Sequence, residues 1–272
     1  MQSIPKRKLS DYKLKVFIVI LLVFCTSYFY WLYLHSINID NQNSSIKQTT
    51  PKNQAEKSQP KITAPEPKFT ADYTLPPITD GLAPVISTIK SDQPIVFLGI
   101  DDGEFKDNSV IDIMKNNNIK ASLFLSKTFI ANRPDFFKQI ISNGSIAENH
   151  TLTHDINMIK NQTYQQQKNE ICGMADYELQ QYGVRPTLYR PPGGAYTNMM
   201  RKDAADCGMK AVVTWIAKAN GGSMQYQIGN KLRPGDIILM HFRPEFAKDI
   251  KAFVDAESAA GLHTELIEDA IQ

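Results

Sequence analysis

The sequence is poor in cysteine, with three in 272 residues, so it is not a small domain braced by many disulfides. It lacks the Gly-X-Y period of a collagen, and 42% hydrophobic content excludes a wholly disordered chain. An excess of either charge is missing as well, since 30 Lys+Arg face 28 Asp+Glu. That near-neutral total hides an uneven distribution. Residues 1–35 carry five basic groups and one acid, residues 36–93 six of each, and residues 94–272 carry 19 basic against 21 acidic. The globular part is therefore mildly acidic and offers no basic face, which sets nucleic-acid binding aside.

What is present begins with one long uncharged apolar run, VFIVILLVFCTSYFYWLYL, over residues 16–34. As a helix it spans about 28 Å, close to the hydrocarbon thickness of a bilayer. Tyr28, Tyr30, Trp31 and Tyr33 gather at its far end like an interfacial belt. All the neighbouring basic residues (Lys6, Arg7, Lys8, Lys13, Lys15) precede it, which keeps the N-terminus cytoplasmic. A cleaved signal peptide has a shorter apolar core and small residues at its cleavage site. A lipoprotein signal at Cys25 is disfavoured because Phe24 stands where a small residue is needed. The expected organisation is a cytoplasmic tail (1–15), a single transmembrane signal anchor (16–34), a flexible linker (35–93) and an extracellular domain (94–272) of a bacterial membrane protein. The linker is rich in Asn, Gln, Ser, Thr, Lys and Pro, and spans on the order of 40–60 Å.

From residue 94 short apolar runs alternate with amphipathic segments. The pattern predicts strands over 94–100, 120–126, 145–149, 187–190, 210–216 and 235–242. Helices are predicted over about 107–117, 134–142, 163–182, 197–206 and 244–259. Alternating strands and helices point to an α/β fold with a parallel sheet, open or closed. Asp101, Asp102, His150, His154, Arg190 and His241 fall just after strand ends, the rim on which barrel folds place their chemistry.

Each of these has a plain reading beside the functional one. Asp101-Asp102-Gly103 is either a turn or a carboxylate pair whose mutual repulsion needs a cation. His150 and His154, four residues apart, are either unrelated or a chelating pair. With Asp102 they make two nitrogen donors and one oxygen donor, the set found in catalytic zinc sites. Arg190 precedes two prolines and two glycines in a rigid turn, and His241 ends the last clear strand, where an acid or base is easily housed. Trp215 is either a sugar-facing wall or a core residue.

In this order and spacing, GIDDG, NHTLTH, YRPPGG and ILMH resemble the successive motifs of NodB-type polysaccharide deacetylases, carbohydrate esterase family four. The resemblance covers about residues 94–267. It implies a distorted (β/α) barrel, the NodB homology domain, and a hydrolase that removes acetyl groups from cell-wall polysaccharide. It also implies a divalent metal, zinc with cobalt or nickel as alternatives, on Asp102, His150 and His154. Asp101 would be the general base, Arg190 its orienting partner and His241 the general acid. Gly193 would offer a backbone N–H to the oxyanion.

The chain departs from the family at three places. Gly193 stands where an aromatic is usual, which shrinks one wall of the groove. No acidic residue follows Trp215 to tune His241. Gly99-Ile100 replace the commoner Thr-Phe, a change expected to matter little. The first two departures leave room for a catalytically impaired glycan-binding protein on the same fold, and an O-acetyl (xylan-type) esterase is a further alternative. Cys172 and Cys207 are either bridged or buried as free thiols.

Overall fold

The computed structural model describes residues 72–271. The tail, the apolar run at 16–34 and the linker up to residue 71 lie outside the described residues. Among the described residues no helix is long and apolar enough to cross a membrane.

The strands are β1 (Val85–Ile86), β2 (Ile95–Asp102), β3 (Ser122–Leu125), β4 (Ile146–Asn149), β5 (Leu188–Tyr189), β6 (Ala211–Val213), β7 (Ala217–Asn220), β8 (Ser223–Tyr226), β9 (Ile237–His241) and β10 (His263–Glu265). The helices are α1 (Asn108–Asn116), α2 (Lys127–Ile130), α3 (Pro134–Ser142), α4 (Met158–Asn161), α5 (Tyr164–Tyr182), α6 (Asn198–Asp206), α7 (Phe246–Ala260) and α8 (Ile267–Ala270). They form one sheet in the order β1-β6-β5-β4-β3-β2-β9-β7-β8, with β10 added beside the start of β2. Every pairing is parallel except the β7–β8 hairpin. The sheet curls far enough for the segment after β1 to reach the entry to β9, where Ile89 N–H donates to Gly235 O at 2.8 Å and Thr88 bridges Asp236. The result is an irregular, partly closed barrel.

Period-two alternation along β2 explains the two sides of the sheet. Val96, Leu98 and Ile100 face the helices, where they pack with Val110, Phe136, Phe137 and Phe253. Ile95 and Phe97 face inward and meet Phe124, Leu188, Val213 and Ile267, so the C-terminal α8 plugs one end of the barrel. Local signals set the helix limits. Thr163 and Gln166 form a reciprocal capping box at the start of α5, and Gly183, left-handed, ends it.

The globular region begins earlier than residue 94. Ala83, Ile86 and Ile89 are buried, and β1 pairs with β6, so this part of the expected linker belongs to the sheet. Its alternation is too short, and too interrupted by proline, to register as a strand. The expected strand over 210–216 stops at Val213, and the hairpin that follows was not foreseen, because Lys218, Asn220, Ser223 and Gln225 give it little apolar content. Cys172 of α5 and Cys207 at the end of α6 are bridged, with Cα atoms 4.9 Å apart, which settles the choice left open by the sequence.

Candidate active site

All the rim residues singled out above converge at the C-terminal ends of β2, β4, β5 and β9. Neighbours on a strand point to opposite faces, so Asp101 and Asp102 can serve one point only if the backbone turns between them. It does so, with Asp102 at φ +76°, a conformation that few residues besides glycine, asparagine and aspartate adopt. The same device recurs after β4, where Thr151 (φ +72°) and His154 (φ +58°) curl the chain so that two imidazoles face the carboxylates.

That curl is fixed by polar side chains from around it. Asn149 accepts from Thr151 N–H and donates to Ile171 O of α5. The hydroxyl of Thr151 accepts from His154 N–H, Ser126 donates to His150 O, and Glu170 of α5 receives both the N–H and the hydroxyl of Thr153. Strained backbone held by this many partners is typical of a working site.

His154 Nε2 lies 3.0 Å and His150 Nε2 3.6 Å from Asp102 Oδ1, and the two imidazole rings are 5.0 Å apart. Asp101 Oδ2 is 3.7 Å from His150 Nε2. The donor atoms of Asp102, His150 and His154 all lie within 4.8 Å of one another, a group able to hold a metal ion. A further observation favours a cation. His150 Nδ1 sits 2.6 Å from Arg190 O, and a carbonyl only accepts, so Nδ1 carries the proton. In the neutral ring Nε2 then presents a lone pair to two carboxylates, which is unfavourable unless a positive charge lies between them. The residues present therefore fit a divalent metal.

Arg190 is fully buried and donates through Nη1 to Asp101 Oδ1 at 2.6 Å, leaving Oδ2 on the side of the histidines. Its guanidinium lies 4.0 Å from the centre of the Phe124 ring. Burial lowers the Arg190 pKa, against the opposing pull of Asp101 and Glu268. Burial alone would raise the Asp102 carboxyl, but its contacts with His150 and His154 override this and hold it well below the usual carboxylate range. His241 is the register partner of Asp101 on the adjacent strand. Burial lowers its pKa from 6.5 despite the two nearby aspartates. His154 and His241 remain partly open to solvent, while Asp101, Asp102 and His150 are buried.

Gly193 and Trp215 share a depression of about 270 Å³ beside this cluster, together with Ser87, Gly194 and Thr214. Gly193 has φ +71°, so a side chain there is opposed by the backbone, and Ile156 lies over it. Gly194 carries the tighter constraint, because a Cβ would fall 2.5 Å from the Trp215 ring. Trp215 is half-buried, and the Arg190 guanidinium carbon lies 5.9 Å from its ring centre. Three neighbours of the site were missed in the sequence. Arg243 reaches to 3.7 Å from Asp102 Oδ2, the Phe129 ring is 5.2 Å from that of His154, and Ile156 is 60% exposed at the mouth. Arg243 could have been read from its place two residues after His241, whereas Phe129 and Ile156 carried no signal.

Residues 88–212 match the family model for polysaccharide deacetylase. Over 159 residues the chain is 33% identical to an uncharacterized protein of Streptomyces coelicolor, covering 58% of this chain and 63% of that one. Over 162 residues it is 25% identical to a peptidoglycan-N-acetylglucosamine deacetylase of Bacillus cereus, covering 56% of this chain and 75% of that one. A solved pseudoenzyme of carbohydrate esterase family four from Bacillus anthracis matches with a TM-score of 0.59 at 19% identity, covering 69% of this chain and 70% of that one. At that identity the likeness concerns the fold. The chain spans between about half and two thirds of the length of several curated relatives that it matches.

Proposed function

Since residues 88–212 belong to the polysaccharide deacetylase family, the NodB-type carbohydrate esterases, we propose that this chain is a metal-dependent hydrolase of acetylated cell-wall glycan. The substrate we infer is an N-acetylglucosamine-containing polymer such as peptidoglycan, reached from the outer face of a bacterial membrane. The observation that carries the reading is the division of labour at Asp101. Oδ1 is held by Arg190 and Oδ2 is free to face the Asp102–His150–His154 group.

A zinc, cobalt or nickel ion on those three residues would polarise the acetyl carbonyl and acidify a water. Asp101 Oδ2 then takes the proton of the attacking water, held in place by the Arg190 guanidinium on the opposite oxygen. The backbone N–H of Gly193 is available to the developing oxyanion. His241, on the neighbouring strand, delivers a proton to the departing nitrogen, without which the amine is a poor leaving group. Trp215 offers an apolar face to a sugar ring.

Anchoring through residues 16–34 suits this role, and the Cys172–Cys207 bridge supports an oxidising compartment outside the cytoplasm. A glycan-binding protein without activity is the second reading, favoured by Gly193 and by the absent acid after Trp215. An O-acetyl esterase is the third.

Acetate release by the full chain from peptidoglycan, chitin oligomers and acetylated xylan separates the three. We expect release from the N-acetylated glycans, abolished by chelator and restored by zinc, cobalt or nickel. It should also be lost in Asp102→Ala and His150→Ala, with metal content falling in parallel. Retention of glycan without acetate release from any substrate in the presence of metal would establish the binding protein instead, and release from xylan alone the esterase.

A further inference from the structure

Beyond Trp215 the inner side of the sheet continues onto the β7–β8 hairpin. Ala217 and Ala219 of β7 turn toward the helices, where Met224 and Tyr226 of β8 join them on the core. Period-two alternation sends Lys218 and Asn220 to the opposite side, with their register partners Gln225 and Ser223. That side is polar throughout, and both β8 residues on it are exposed. It flanks the reacting groups. Lys218 is in register with Leu239, two residues before His241 on β9, which places its Cα about 8 Å from that of His241.

Two depressions meet at Trp215. One, of about 270 Å³, contains Gly193 and Gly194. The other, of about 200 Å³, lies on the hairpin side and is lined by Lys218, Gln225 and Tyr226. Trp215 and Gln227 border both, and the Gln227 amide donates to Trp215 O at 2.9 Å, which fixes the partition. Two recesses divided by an aromatic side chain suit two consecutive sugars of one glycan chain.

The second recess differs from the first in carrying a charge. Lys218 is half-buried and, among the described residues, has neither an ion-pair nor a hydrogen-bond partner. Arg243, the other cation near the site, already faces Asp102 Oδ2 at 3.7 Å. The domain around them is mildly acidic and repels anions, so an unpaired ammonium here is a local exception. Beside the amides of Gln225 and Gln227 it offers a charge-assisted hydrogen bond to a carboxylate, and much less to a neutral hydroxyl.

We propose that this recess is a second sugar subsite, in which Lys218 takes a carboxylate carried by the residue next to the acetylated sugar. The substrate class is then an acidic glycan such as peptidoglycan, and not a neutral one such as chitin. The carboxylate is that of the lactyl ether on a muramic acid or that of the stem peptide attached there. The proposal rests on the reading of the chain as a deacetylase of cell-wall glycan.

The test uses the metal-loaded full chain and three substrates of matched length: chitin oligomers, peptidoglycan strands freed of stem peptides, and strands that keep them. The quantity compared is the ratio of kcat/KM on each acidic strand to that on chitin. Lys218→Met should lower this ratio about tenfold, the loss of one charge-assisted hydrogen bond, with the change in KM and not in kcat. Lys218→Arg should restore most of it. Lys251→Met removes the same charge from α7, where it pairs with Asp255 at 2.6 Å, and should leave the ratio unchanged. A fall on peptide-free strands assigns the lactyl carboxylate and a fall on peptide-bearing strands the stem peptide; either supports the subsite. An unchanged ratio in Lys218→Met, or an equal fall in Lys251→Met, overturns it. Absence of acetate release by the wild-type chain would refute the deacetylase reading. Calorimetric titration with the same strands would still judge the subsite, a tenfold loss of relative affinity in Lys218→Met supporting it and no loss overturning it.

Discussion

The chemistry of the site turns on which oxygen of which carboxylate is free. Asp101 and Asp102 are chemically alike and adjacent, yet one is tied to a guanidinium and the other lies against two imidazoles. Removing the Asp101 carboxylate outright would strand a buried guanidinium, at a cost of about 3–5 kcal/mol, so Asp101→Asn is a cleaner probe of its function than Asp101→Ala. His241 differs, because it has no carboxylate behind it beyond the two aspartates of the site, and burial dominates its ionisation. A general acid must be protonated, so activity falls as pH rises through its pKa, and a lowered pKa moves that limb toward acid. We therefore expect the alkaline limb of the kcat/KM–pH profile, which reports the free enzyme, to lie below 6.5, and to vanish in His241→Asn with a loss of about 10²–10⁴ in kcat/KM. A limb above pH 7 that persists in the variant would remove His241 from the role. At this scale the sequence was informative. Asp101, Asp102, His150, His154, Arg190 and His241 were all legible, because strand ends fix where a residue lies along a barrel. Gly99 carried no such signal, because the space it leaves takes its meaning from the arginine that fills it.

Among the elements, α5 does more for the site than its distance from it suggests. Its Ile171 carbonyl and Glu170 carboxylate hold the loop that carries both histidines, and the Cys172–Cys207 bridge ties the same turn of α5 to the end of α6. Cross-linking residues 35 apart restricts the unfolded chain, and its removal is expected to cost about 2–4 kcal/mol. Cys172→Ser/Cys207→Ser should keep near-normal kcat at 25 °C but melt earlier, with metal affinity lost over the same temperature range. Calorimetry with and without reductant checks this, and a melting temperature indifferent to the bridge would show that it does not hold the loop. The helices were readable from their caps, as with Thr163, Gln166 and Gly183 around α5. The β7–β8 hairpin and β10 were not, because short strands such as His263–Glu265 take their identity from the partner that offers them an edge, here β2.

Over the whole molecule, charge and hydropathy divide the labour: a basic tail, an apolar run, a polar linker and a mildly acidic domain. If residues 16–34 anchor the chain, the full-length protein should stay with the membrane fraction after an alkaline wash. Deletion of residues 1–34 should release it to the supernatant with acetate-releasing activity intact. A full-length chain found free in the supernatant would remove the anchor from the account. The alternation of apolar runs was enough to imply an α/β fold with a parallel sheet, open or closed, and the resemblance of its motifs implied the barrel, since period and spacing are properties of the chain itself. It was not enough to place the start of the barrel, because β1 becomes a strand only where β6 receives it and the segment after it closes on β9. By itself the sequence determined which groups are present and at which strand ends they stand. The tertiary structure alone decided that Asp102 turns back beside Asp101, that Arg190 packs against Gly99, and that two cysteines 35 residues apart meet. These are matters of direction and free volume between distant segments, which fold closure sets and local pattern does not.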